Sequence, residues 1–212
     1  MASLDIPKAP NLPLSPETPD RQYSDQVNNA LRLYFNRLDA VNSATLQPRG
    51  AANFNFPYAA VQRTTDKTFT ANTATQITLD QNDFLNGCTN DGTDGIHVNT
   101  AGLYNYQFST QFRNTDSQIH SAWIWLRVNG TDVEGTGSKF DVTGSHGGVD
   151  GFVIGAANFY VQLNAGDYIE MWAASSNTAV TFDAANASTS PFAMPAIPSV
   201  VATLSFVSSV TA

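Results

Sequence analysis

Three histidines, one cysteine and a short acidic loop are the places where this chain would carry chemistry. His97, His120 and His146 stand far apart, without the close spacing by which one element offers two imidazoles to a metal. His146 lies in the loop text GSHGG, and its sequence neighbours supply no nucleophile with a base. Cys88 is the single cysteine, which excludes an intrachain disulfide and a multi-cysteine zinc site and leaves a buried or idle thiol. The loop NDGTDG places Asp91 and Asp94 close together. A calcium loop of the EF-hand kind needs glutamate at its twelfth position, and the twelfth residue counted from Asn90 is Ala101. Glycine-rich stretches lack the lysine of a phosphate loop, and no carboxylate pair is arranged for glycoside hydrolysis. The residues therefore predict a protein that is not an enzyme, with no catalytic residue, no metal site and no cofactor.

Composition narrows the partners. Of the 212 residues 42% are hydrophobic and 13% charged, so a folded core is compatible with a surface built mainly from Asn, Gln, Ser and Thr. The formal charge of -8 comes without a basic stripe, which argues against nucleic acid as a partner. No charged-then-apolar leader and no apolar run of membrane-spanning length is legible, so synthesis in a cytosol, or export by a route the sequence does not show, is expected, without membrane insertion.

Three segments follow. Residues 1–18 form an arm that, together with Pro19, carries half of the ten prolines. Pro7, Pro10, Pro13, Pro16 and Pro19 recur every third residue, the period of polyproline II, which lines the rings along one edge over roughly 37 Å. Ile6, Leu12 and Leu14 occupy the other edges and suit pockets on a partner; a semi-rigid linker or tail is the alternative. Residues 19–42 predict a helix with Thr18 as N-cap and Pro19 at its first position. Val27, Leu31, Tyr34, Leu38 and Val41 are spaced by 4, 3, 4 and 3, a coiled-coil seam of about two heptads. The alternative is a helix packed on its own domain through Phe35. Residues 43–57 read as a linker.

From residue 58 to 212 short alternating runs are divided by turn signals such as NDGTDG, Asn129-Gly130 and NAGD. The expected fold class is mainly β, an antiparallel sandwich or jelly roll preceded by the arm and one short helix. GLYNYQF from Gly102, LRVNG from Leu126 and VQLNAGDYIEM from Val161 resemble, in order, the globular heads of the complement-component and tumour-necrosis-factor jelly-roll superfamily. With its proline arm and helix in place of a collagen repeat, the chain looks like trimeric virion decoration or fibre proteins of tailed bacteriophages. The resemblance implies a homotrimer on the virion surface, with phage capsid or tail proteins as partners. It also leaves Asp91 and Asp94 as calcium candidates, since some relatives bind calcium near the trimer top.

Alternation then assigns faces. Tyr104, Tyr106, Phe108, Thr110 and Phe112 should face the core and Asn105, Gln107, Ser109 and Gln111 the outside, where the resemblance implies a wet trimer contact. In the register of the family, Ile124, Leu126, Val128, Ile169 and Met171 point inward. Trp123, Trp125 and Arg127 then point outward, with Tyr168, Glu170 and Trp172. Trp123, Trp125, Tyr168 and Trp172 would form an external patch for a capsid neighbour or a host surface glycan, unless Phe54 and Phe56 cover it or a bulge reverses the parity. The leading expectation is a structural virion protein, a capsid decoration or head-fibre trimer anchored by its arm. The alternative is a receptor-binding fibre tip or lectin-like module acting in host attachment.

Overall fold

A computed structural model describes residues 8–14, 17–18, 20–46 and 55–209. Ile6, Pro7, Pro16 and Pro19 of the arm lie outside the described residues, as does Phe54. The chain divides into two units, Met1–Asn55 and Phe56–Ala212.

In the first unit, residues 8–14 form no helix or strand, and Leu12 and Leu14 are 44% and 94% exposed. The helix α1 spans Arg21–Leu46. Its cap is Asp20 rather than Thr18: the Gln22 backbone N–H donates to Asp20 Oδ1 at 3.1 Å, and the Ser24 N–H to the Asp20 carbonyl at 3.2 Å. A carboxylate directly before the first helical residue meets an N–H group that has no partner within the helix, and Thr18 stands too early to do so. The helix runs past residue 42 because VNSATL contains neither glycine nor proline to stop it. Along it, Val27, Leu31, Tyr34, Leu38 and Val41 are each half-buried, whereas Leu33 and Phe35 are exposed.

The second unit is built from strands, in chain order β1 (Tyr58–Arg63), β2 (Lys67–Thr68), β3 (Thr75–Ile77), β4 (Gln81–Asn86), β5 (Cys88–Asn90), β6 (Ile96–Val98) and β7 (Gly102–Asn114). After these come β8 (His120–Val128), β9 (Thr131–Asp132), β10 (Ser138–Val142), β11 (Gly151–Leu163), β12 (Tyr168–Ser175), β13 (Val180–Phe182) and β14 (Val200–Ser208). One antiparallel sheet sets β4, β1, β14, β7 and β11 side by side, with β13 along the end of β7 and β2 beyond it. The other has the order β5, β6, β12, β8, β10, with β3 on β12 and β9 on β8. Pairings across the two sheets are nested: β1 with β14, β6 with β12, β7 with β11, and β8 with β10.

The core follows from alternation. Every second residue of β7 from Tyr104 to Phe112 is buried, as are Ile124, Leu126, Ile169 and Met171 of the opposite sheet. Phe112 sits among rings, with centroids 5.0 Å from Phe182 and 5.4 Å from Phe140. Gly155 belongs to that packing: a Cβ there would lie 2.5 Å from Phe112 Cε2, so the strand gives up a side chain to admit the ring. Between β8 and β9, Asn129 and Gly130 take φ of 51° and 77°, the positive pair a two-residue hairpin requires.

Alternation did not mark β2, β4, β5, β9, β10 or the first half of β11. QNDFLN of β4 is almost wholly exposed, so it has no alternating apolar face to betray it. Its place is set by pairing with β1.

Candidate functional site

The outer face of the second sheet is organised by one register. Across β8 and β12, Trp123 stands opposite Ala174, Trp125 opposite Trp172, and Arg127 opposite Glu170. No bulge interrupts this pairing, so the parity expected from sequence is retained. Phe56 stacks on Phe206, with centroids 5.9 Å apart, which places it at the other sheet.

The four expected patch residues are brought together unequally. Trp125 and Trp172 have ring centroids 6.5 Å apart. Trp123 is the outermost ring, 36% exposed. Tyr168 turns to His97 instead, with centroids 5.2 Å apart.

Three charged residues complete the cluster: Arg127 and Glu170, both expected on the outer face, and Asp132, which no sequence motif singled out. The guanidinium carbon of Arg127 lies 3.8 Å from the Trp172 ring centroid, close enough for a cation–π contact. Asp132 Oδ1 accepts from Trp125 Nε1 at 2.7 Å and from Arg127 Nε at 2.5 Å. Those two hydrogen bonds, the one from Arg127 first, hold the Asp132 carboxyl below its ordinary range. Glu170, expected to be outward and open, lies on the outer face but is only 5% exposed. Its Oε2 accepts from the Gly130 N–H at 2.9 Å and its Oε1 from Trp172 Nε1 at 3.2 Å. The hairpin turn of Asn129-Gly130 folds over the carboxylate and covers it. Asp132 was legible in principle, because a two-residue hairpin at Asn129-Gly130 puts it opposite Arg127. The burial of Glu170 was not, because its cover comes from the turn between β8 and β9.

The acidic-loop residues and two of the histidines are engaged locally. Asp91 Oδ1 accepts from the Thr93 hydroxyl at 2.6 Å and the Thr93 N–H at 2.9 Å. Asp94 pairs with His97 at 2.9 Å, and Asp116 with His120 at 2.7 Å. Among the described residues no group of three or more His, Cys, Asp or Glu side chains is placed to hold a metal ion. Cys88 is buried, and that burial pushes its thiol up to about 11.

The first sheet presents a second surface. On β11, which among the described residues pairs only with β7, Phe152, Ile154 and Tyr160 are 56%, 65% and 65% exposed. Beside them a groove of about 500 Å³ is lined by Phe108, Ala156, Ala157 and Val201 together with Gln107 and Ser109. Amides dominate its rim: Asn105 Nδ2 donates to Asn158 Oδ1 at 2.7 Å, and Gln107 Nε2 to Asn105 Oδ1 at 2.8 Å.

No protein-family model matches the chain, and no curated protein is similar enough to count as a relative. Among the described residues no helix is long and apolar enough to cross a membrane.

Proposed function

We propose that the chain is a structural virion protein of a tailed phage, a homotrimeric decoration or head-fibre protein whose proline arm anchors it to the particle. The observation that carries this reading is the outward face of the first sheet. Among the described residues β11 is a 13-residue strand with one partner, so the other edge of that strand offers N–H and C=O groups for pairing. On its open face Phe152, Ile154 and Tyr160 stand next to a groove of mixed apolar and amide character. A surface of that kind is covered when copies of one chain pack edge to face, and a closed rotation of three leaves none of these surfaces unmatched.

Two further features support it. The nested strand pairing, first with last and so inward, is how a jelly roll winds, in keeping with the resemblance of the strand texts. The stripe Val27, Leu31, Tyr34, Leu38 and Val41 on α1 supplies a seam that gains strength from copies already held together. Asp91 and Asp94 are assigned to turn-building, and no calcium role is proposed for them.

The arm contributes through Leu12 and Leu14, both exposed, with the prolines reducing the ordering cost of docking. Phage particles lacking the protein, mixed with purified chain, provide the test. The full-length protein should decorate them as a three-chain species by light scattering, and Leu12→Asp with Leu14→Asp should leave the trimer intact but lower occupancy at least about tenfold. Equal decoration by both proteins would falsify the anchoring arm.

A further inference from the structure

We propose that the outer face of the second sheet binds a neutral saccharide in a notch bounded by Trp123, Trp125 and Trp172. This inference goes beyond the anchoring role and stands independently of it. On two paired strands, three of four neighbouring outward positions carry indoles and the fourth, Ala174, carries only a methyl. Directly opposed side chains are about 5 Å apart and successive same-face residues nearly 7 Å, so the space over Ala174 is about one ring wide. The C–H face of a pyranose is apolar with a slight positive charge, and it complements the negative face of an indole.

The rings are held ready. Trp125 Nε1 is tied to Asp132 and Trp172 Nε1 to Glu170, while Arg127 backs the Trp172 ring. Trp123 alone of the three is substantially exposed, and it faces Lys139 on its other side. Around the notch, Lys139, Asp141 and Ser121 supply donors and acceptors suited to sugar hydroxyls.

Charge selects against an acidic sugar. Arg127 is paired with Asp132 and Lys139 with Asp141 at 3.1 Å, and Glu170 adds a third carboxylate, so no free cation waits for an anionic group. Size selects against a protein. A specific interface needs about 800 Å² from each partner with an apolar centre, and here one exposed ring stands among Ser121, Lys139 and Asp141.

The test titrates the full chain with oligosaccharides ending in glucose, galactose or N-acetylglucosamine. The same carriers ending in sialic or uronic acid run in parallel, and tryptophan emission and retention on a glycan array are followed. At least one neutral probe should saturate, and Trp123→Ser and Ala174→Phe should each weaken it about tenfold or more, while Phe152→Ser on the other sheet leaves it unchanged. Trp123→Ser alters an exposed ring, so it keeps the test valid even if Ala174→Phe disturbs folding. Absence of any neutral binding up to about 10 mM overturns the proposal. So does binding confined to acidic probes, or binding that survives Trp123→Ser. Capture of a protein partner that Trp123→Ser abolishes, with no sugar bound, overturns it as well and assigns the face to protein. None of these outcomes bears on particle decoration, which reports on the arm.

Discussion

At Cys88 and Asp132 the surroundings act on two acids in opposite directions. At Cys88 burial disfavours the thiolate, with the thiol pushed up to about 11, so the nucleophilic form is scarce at neutral pH. The native protein should therefore react negligibly with an aromatic disulfide reagent at about pH 8, and release one thiol per chain after denaturation. Rapid labelling of folded protein would show that β5 opens. At Asp132 hydrogen bonds from Arg127 and Trp125 favour the charged form. A carboxyl whose folded pKa is depressed contributes stability above its unfolded value and loses it as pH falls through the folded one. Asp91, Asp116, Asp141 and Asp167 shift in the same direction, each chiefly through hydrogen bonds. Melting temperature should therefore hold steady above about pH 5 and decline below about pH 4. The change in tryptophan emission over the same acid range should be smaller in Asp132→Asn than in the wild type, because only the wild type loses the Trp125 bond on protonation.

Single elements can be tested one by one. Asp20→Ala leaves the Gln22 N–H without its side-chain acceptor and should cost about 1 kcal/mol of helix stability, read by circular dichroism against temperature. In the head, Phe112→Ala removes a fully buried ring packed on Phe182 and Phe140, and should lower unfolding free energy by about 3–5 kcal/mol in a denaturant titration. Gly155→Val should be nearly as harmful, because its Cβ would need the space that Phe112 fills. The legibility of these elements tracked the contrast between their two faces. GLYNYQFSTQF alternates aromatic with polar residues and was readable at once, and it is a 13-residue strand. QNDFLN has no buried face, and GFVIGAA, the start of β11, is apolar on both sides, so neither carried the period that marks a half-buried strand.

For the whole molecule, the informative substitution lies on the open face of the first sheet. Ile154 is 65% exposed and makes no core contact that an aspartate would disturb. If copies associate through this face, Ile154→Asp should leave the melting of the isolated head intact while shifting sedimentation from three chains toward one. A trimer that persists unchanged would place the contact elsewhere. The net charge of -8 adds a salt dependence, since like-charged copies repel and screening relieves it. Raising ionic strength should strengthen association of the wild type.

What the sequence determined by itself is local. Alternation set which side chains of β7, β8 and β12 face inward. Asn129-Gly130 determined a hairpin, and the spacing of Val27 to Val41 aligned a stripe on one helix. Each of these is encoded by residues only a few positions apart. What only the tertiary structure decided is pairing across distance. It set Trp125 against Trp172, laid Arg127 on the latter ring, buried Glu170 under the β8–β9 turn, turned Tyr168 toward His97 and left Ala174 as the gap among the indoles. Those contacts depend on the register between strands far apart in the chain. Period alone does not carry that register, because a shift of two residues preserves every inward and outward assignment while changing every neighbour.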